Sequence, residues 1–160
     1  LTIPGTSRGA IVAAFYNQNN NATVGQSGRG FTRDGRVKPD IAAGGINAIV
    51  TMPGGGTRVV SGSSVATAIT AGCCALIMQW GAVDGNDPNL YATEIRTYLI
   101  RGTNMRVGDI YPNEQWGYGA IDMKGVFDSI RENLTGGVSQ TRDNEEYSVG
   151  NLFVSKPTDI

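Results

Sequence analysis

Apolar residues come in short blocks divided by glycine, asparagine and proline, and one block is far longer than the rest. Ala10-Ile11-Val12-Ala13-Ala14-Phe15-Tyr16 has the length of a buried strand and follows a turn signal at Thr2-Ile3-Pro4-Gly5. Residues 17–21, rich in asparagine, read as a loop, and residues 25–35 as a glycine-rich irregular segment. Lys38-Pro39 leads into a second buried strand, Asp40-Ile41-Ala42-Ala43, which ends at Gly44-Gly45. A further strand is predicted over residues 46–51, and Pro53-Gly54-Gly55-Gly56 turns the chain into Arg58-Val59-Val60.

The long block is the principal helix, predicted over residues 63–80. Ala66, Ala68, Ile69, Ala71 and the run from Cys73 to Met78 leave it almost no polar face, the pattern of a helix packed on all sides within a core. Gly81 stands where a C-terminal glycine is expected. Asp87-Pro88 combines a capping acid with a proline at the first helical position, and so predicts a second helix running to about Leu99 and closed by Gly102. Asp122 caps a third, over residues 123 to about 133, burying Val126, Phe127 and Ile130. Gly136-Gly137 then breaks the chain, and in the polar tail Leu152-Phe153-Val154 offers an edge strand. Strands followed by helices predict an α/β layered fold with a parallel sheet.

Composition narrows the function classes. The chain has 160 residues, enough for one domain with a real core. A net charge of −1 excludes a basic nucleic-acid surface. The longest apolar run, residues 71–80 with Gln79 inside it, is too short to span a bilayer, so no membrane segment is expected. Cys73 and Cys74, the only cysteines, are helix neighbours that point in different directions, which argues for buried free thiols over a disulfide or a metal site. Asp84, Asn86 and Asp87 do not follow the EF-hand spacing. No cofactor is expected to be required, and structural calcium stays open although no site for it is visible in the sequence. Arg29, Arg33, Asp34 and Arg36 form a mixed-charge loop, either a solvated surface or a substrate-contacting rim. Trp80 and Trp116 read as core or interface aromatics.

Gly62-Ser63-Ser64-Val65-Ala66 carries the candidate chemistry. A serine in the first helical turn has its oxygen near unpaired backbone N–H groups and the positive end of the macrodipole, where an oxyanion is stabilised. Alone, the same residues describe an ordinary N-cap. Their neighbours change that. Thr2-Ile3-Pro4-Gly5, Ser27-Gly28-Arg29-Gly30, Lys38-Pro39-Asp40-Ile41, the 62–72 segment, and Trp116-Gly117-Tyr118-Gly119 followed by Asp122 occur in an order and at intervals that resemble the subtilisin-like serine peptidases. The resemblance runs from Thr2 to about Leu134, so residues 1–134 are expected to be the C-terminal part of such a catalytic domain and 135–160 an extension.

The resemblance implies the C-terminal part of a three-layer α/β fold with a parallel sheet and a buried central helix carrying the nucleophile. It makes Ser64 that nucleophile and Ser63, where the family has threonine, a support of the oxyanion pocket. Thr2 and Gly5 would line the pocket for the residue before the scissile bond, and Pro4 falls where the family often has a cis proline. The family's Gly-Thr-Ser-Met-Ala-x-Pro-His becomes Gly62-Ser63-Ser64-Val65-Ala66-Thr67-Ala68-Ile69 here. That pattern most resembles the clostridial Csp-type subgroup, which includes germination proteases and also pseudoproteases. A secreted, cell-envelope or spore-associated location is implied, along with protein or peptide substrates.

One requirement is unmet: the chain contains no histidine. A serine nucleophile needs a base to take its proton. The family's aspartate, histidine and oxyanion asparagine all precede the segment resembling Thr2-Pro4. The expected partner is therefore an upstream portion of the same peptidase, and this chain alone is not expected to be active. Asp40, with no histidine to orient, reads as a structural carboxylate. The alternative is a pseudoprotease that keeps the fold as a scaffold.

Overall fold

A computed structural model of the chain describes residues 1–134. At its centre β1 (Ala13–Asn17) lies parallel to β3 (Ile41–Gly44), with Ala13 opposite Ile41 and Tyr16 opposite Gly44. Ile41, Ala42 and Ala43 are fully buried, as an unbroken apolar run in a parallel pair should be. The short β2 (Ala22–Thr23) adds an antiparallel edge on β1 that sequence pattern did not predict. The other edge of β3 is taken by the glycine-rich 117–121 segment. Ala42 N donates to Gly119 O at 2.9 Å and Ile121 N to Ala42 O at 2.8 Å. A separate hairpin joins β4 (Ala48–Thr51) to β5 (Thr57–Val60). Gly54, Gly55 and Gly56 all adopt positive φ in its turn, which explains the glycine run. The sheet is thus mixed: among the described strands β1 and β3 form the expected parallel pair, extended by a parallel bridge between Ala42 and Ala120.

α1 (Ser63–Met78) packs on β1 and β3, and α2 (Ala92–Arg101) packs on α3 (Met123–Leu134). Ile41, Ile77, Ile95, Leu99, Val126 and Ile130 form the main core cluster. α1 departs from the expectation of burial on all sides. Ala66, Thr70 and Ile77 are buried on its sheet-facing side, whereas Ile69, Leu76 and Met78 are 40–55% exposed, because no described element covers those faces. Nor does it stop at Gly81; a π-helical turn, Gln79–Val83, continues it. Ser63–Val83 together are 21 residues, and an 18-residue stretch within them has a mean hydropathy of 1.5, enough to cross a membrane by length and composition alone. The apolar run judged too short was only the middle of this element.

The second helix begins later than Asp87-Pro88 predicts. Asp87 N donates to Gly81 O, Gln79 Nε2 to Asp84 Oδ1 and Asn86 Nδ2 to Trp80 O, so residues 84–90 are tied back onto the end of the preceding helix as turns. α2 starts where Glu94 accepts the N–H of Tyr91 at 2.6 Å. The third helix follows the pattern, with Asp122 Oδ1 accepting from Lys124 N and Gly125 N. The predicted break at Gly136-Gly137 and the edge strand at residues 152–154 lie outside the described residues.

Gly102 shows how tightly α2 and α3 meet. A Cβ there would lie 2.2 Å from Val126 N and 2.4 Å from its Cα, against backbone that cannot rotate aside. Gly102→Ala is expected to destabilise the fold by about 1–3 kcal/mol through overpacking. A lower denaturation midpoint in urea, with unchanged m-value, is the predicted readout.

Candidate active site

The turn before α1 is anchored to the C-terminal end of β3. Gly62 N donates to Gly45 O at 2.8 Å, and a Cβ on Gly45 would lie 2.8 Å from Phe15 Cβ and 2.9 Å from Gly62 O. Gly62 is the N-cap, at φ 149° and ψ 166°, a conformation that favours glycine. The cap is therefore backbone only, and Ser63 and Ser64 are the first two helical residues rather than capping side chains. Both are exposed. Val65 N and Ala66 N both reach Gly62 O, leaving the N–H groups of Ser63 and Ser64 without an acceptor among the described residues. The hydroxyl of Ser64 likewise has no hydrogen-bond partner there.

This arrangement places a free hydroxyl beside two free N–H donors at the positive end of a helix. It opens on an apolar groove of about 430 Å³ between Ile49 and Val50 of β4 and Ser64, Val65, Ala68 and Ile69 of α1. The groove residues were not singled out from sequence. Ile49 belongs to a strand and Ala68 to the helix, and only the fold brings them together.

The other sequence candidates lie on a different support. Gly5 N donates to Thr2 O at 2.7 Å across a turn containing the cis Ile3–Pro4 peptide. The Ser27-Gly28 loop packs beside it: a Cβ on Gly28 would lie 3.6 Å from Leu1 Cδ2, and Ser27 Oγ accepts Phe15 N–H of β1. Thr2 and Gly5 do not line the groove at Ser64. A second hollow of about 500 Å³, walled by Leu1, Ile3, Thr6, Phe31 and the mixed-charge loop, lies against their turn. In that loop Asp34 accepts from Arg36 Nε and from the Thr32 hydroxyl, and these bonds hold its carboxyl down at about 2.

Asp40 is a buried hub at the N-terminal end of β3. Its carboxylate accepts Lys38 Nζ and Arg96 Nε at 2.6 Å each and Val12 N at 2.7 Å, while Lys38 Nζ also donates to Ala10 O at 2.6 Å. The structural role expected for Asp40 agrees with this geometry. Its partner Arg96 lies 56 residues away and gave no local signal. Cys73 and Cys74 are free and half-buried, and burial pushes both thiols up, away from reactive thiolate. Among the described residues, no three metal-binding side chains of His, Cys, Asp or Glu come together.

A serine with unclaimed donors at the head of a helix that leaves a strand end has the surroundings a hydrolase nucleophile needs, and the chain has no histidine to serve as its base. Comparison with known proteins identifies the family. The subtilase family profile matches residues 1–119. The serine protease AprX of Bacillus subtilis (strain 168) is 34% identical over 142 residues, covering 76% of this chain and 30% of its own length. The CspB protease of Clostridium perfringens is 37% identical with a TM-score of 0.79, covering 83% of this chain and 28% of its own. The self-cleaved protease domain of PatA shares the fold, at a TM-score of 0.64 and 23% identity. The chain belongs to the subtilase family, and its likeness to CspB agrees with the Csp-type pattern after Ser64. It spans only about 30% of the length of AprX and of CspB.

Proposed function

We propose that this chain supplies the nucleophile half of a serine endopeptidase whose base is carried by an upstream segment of the same protein. The observation that carries the reading is Ser64: exposed, free of hydrogen bonds among the described residues, and set between unclaimed N–H groups and an apolar groove. In the complete protein a histidine from the upstream segment takes the Ser64 proton as Oγ attacks the peptide carbonyl. The tetrahedral oxyanion is met by the Ser64 N–H and by the upstream asparagine, with Ser63 supporting that pocket. The intermediate collapses to an acyl-enzyme as the histidine returns its proton to the leaving amine. Water, deprotonated by the same base, then releases the acid. Thr2 and Gly5 would contact the residue before the scissile bond. Protein or peptide substrates follow from the family and from relatives that are themselves proteases.

The test is covalent labelling with a fluorophosphonate. The complete protein should carry the adduct on Ser64, and the 160-residue chain alone should remain unlabelled at the same exposure. An unlabelled complete protein would support the pseudoprotease alternative, and an adduct on another serine would remove Ser64 from the reading.

A further inference from the structure

At the far end of β3 from Ser64, four cationic side chains wall one cleft of about 320 Å³. They are Arg8, Arg36, Lys38 and Arg96, with Val37 and Tyr118 beside them. Among the described residues, two carboxylates pair with them. Asp40 holds Lys38 and Arg96 at 2.6 Å each, and Asp34 holds Arg36 at 2.8 Å and Arg8 at 3.8 Å. Four positive charges against two negative ones leave the cluster with a surplus of two. Like charges gathered this closely repel, and the repulsion strengthens where side chains are withdrawn from water. Lys38 is 3% exposed and Asp40 fully buried.

A second observation concerns Arg36, which lines both this cleft and the hollow beside the Thr2–Gly5 turn. Arg36 spends its Nε on Asp34, yet its Nη1 is buried with no hydrogen-bond partner among the described residues. A buried cationic N–H without an acceptor is rare in folded proteins, since its desolvation is then uncompensated. The guanidinium fork is shaped to take two oxygens of one oxyanion, and Arg8, whose side chain is 82% exposed, can swing in to share it.

We propose that this cleft is an oxyanion site whose ligand is a free, compact, doubly charged oxyanion of the phosphate type. Bound there, the anion would offset the surplus charge and tie the 32–36 loop to the buried Asp40 hub and to α2. The site does not depend on the role of Ser64.

The test is thermal unfolding of the complete protein in sodium phosphate against sodium chloride at matched ionic strength. A saturable rise in Tm of about 2–4 °C is expected as phosphate increases through the millimolar range. Phosphate also stabilises proteins generally, but that effect grows without saturating and ignores single arginines. Arg36→Gln and Arg8→Gln should each remove at least half of the saturable rise. Arg8 is exposed enough for its variant to fold normally, so it decides the matter if Arg36→Gln does not fold. Absence of a saturable rise would overturn the proposal, including the case in which a carboxylate from the rest of the protein already fills the cleft. An undiminished rise in the Arg8 variant, and in the Arg36 variant where it folds, would overturn it too.

Discussion

Ser64→Ala in the complete protein is expected to lower kcat/KM for peptide hydrolysis by about 10⁴–10⁶-fold, through kcat, with KM nearly unchanged. In the proposed mechanism the substitution removes the atom that forms the acyl bond, and it leaves the donors and the groove in place. What remains is the background that a positioned water and an oxyanion pocket support. Stability should move by less than about 0.5 kcal/mol, since the side chain is exposed and makes no hydrogen bond among the described residues. The pairing of a large kinetic loss with a silent melting curve is the signature to look for. A variant that still turns over would take Ser64 out of the chemistry. A variant that melts much earlier would mean that the hydroxyl supports the turn instead.

How far such chemistry is legible in a sequence depends on how local its causes are. Ile41-Ala42-Ala43 announced a buried strand because a parallel strand covered on both faces needs an unbroken apolar run. Asp122 announced a helix start because a cap acts within three residues. The Ser64 turn was readable for the same reason, although its cap is Gly62 and not a serine. Asp87-Pro88 carried an equally good local signal and was overridden: bonds back to Gly81 and Trp80 hold that stretch as turns and delay α2 to Ala92. The α/β class was legible, but the mixed sheet was not, because two-residue β2 is too short to leave a pattern. The groove beside Ser64 and the four-cation cleft are assembled from segments distant in sequence, and no window on the chain contains either.

The second large effect is expected at Asp40. Asp40→Ala should destabilise the protein by about 3–5 kcal/mol, the usual consequence of removing one partner from a buried charge cluster. The backbone links at this residue, Asp40 N to Val12 O and Tyr118 N to Asp40 O, survive the substitution, so the loss belongs to the carboxylate. It would strand the Lys38 ammonium, 3% exposed, with Ala10 O as its one remaining partner, and leave Val12 N–H unsatisfied. Arg96 is 36% exposed and water can take over its charge, so Arg96→Ala should cost about 1 kcal/mol or less. Lys38→Met should be costly alone, since among the described residues it leaves Asp40 with the partly exposed Arg96 as its cationic partner. In Lys38→Met/Asp40→Leu the stranded charges are gone together, and the double variant should recover more than about 1 kcal/mol relative to the sum of its parts. Urea denaturation of the wild type, Lys38→Met, Asp40→Leu and the double variant closes the cycle. Strict additivity would mean that Lys38 and Asp40 are neighbours without energetic coupling, and that the cost of each single variant comes from its other contacts.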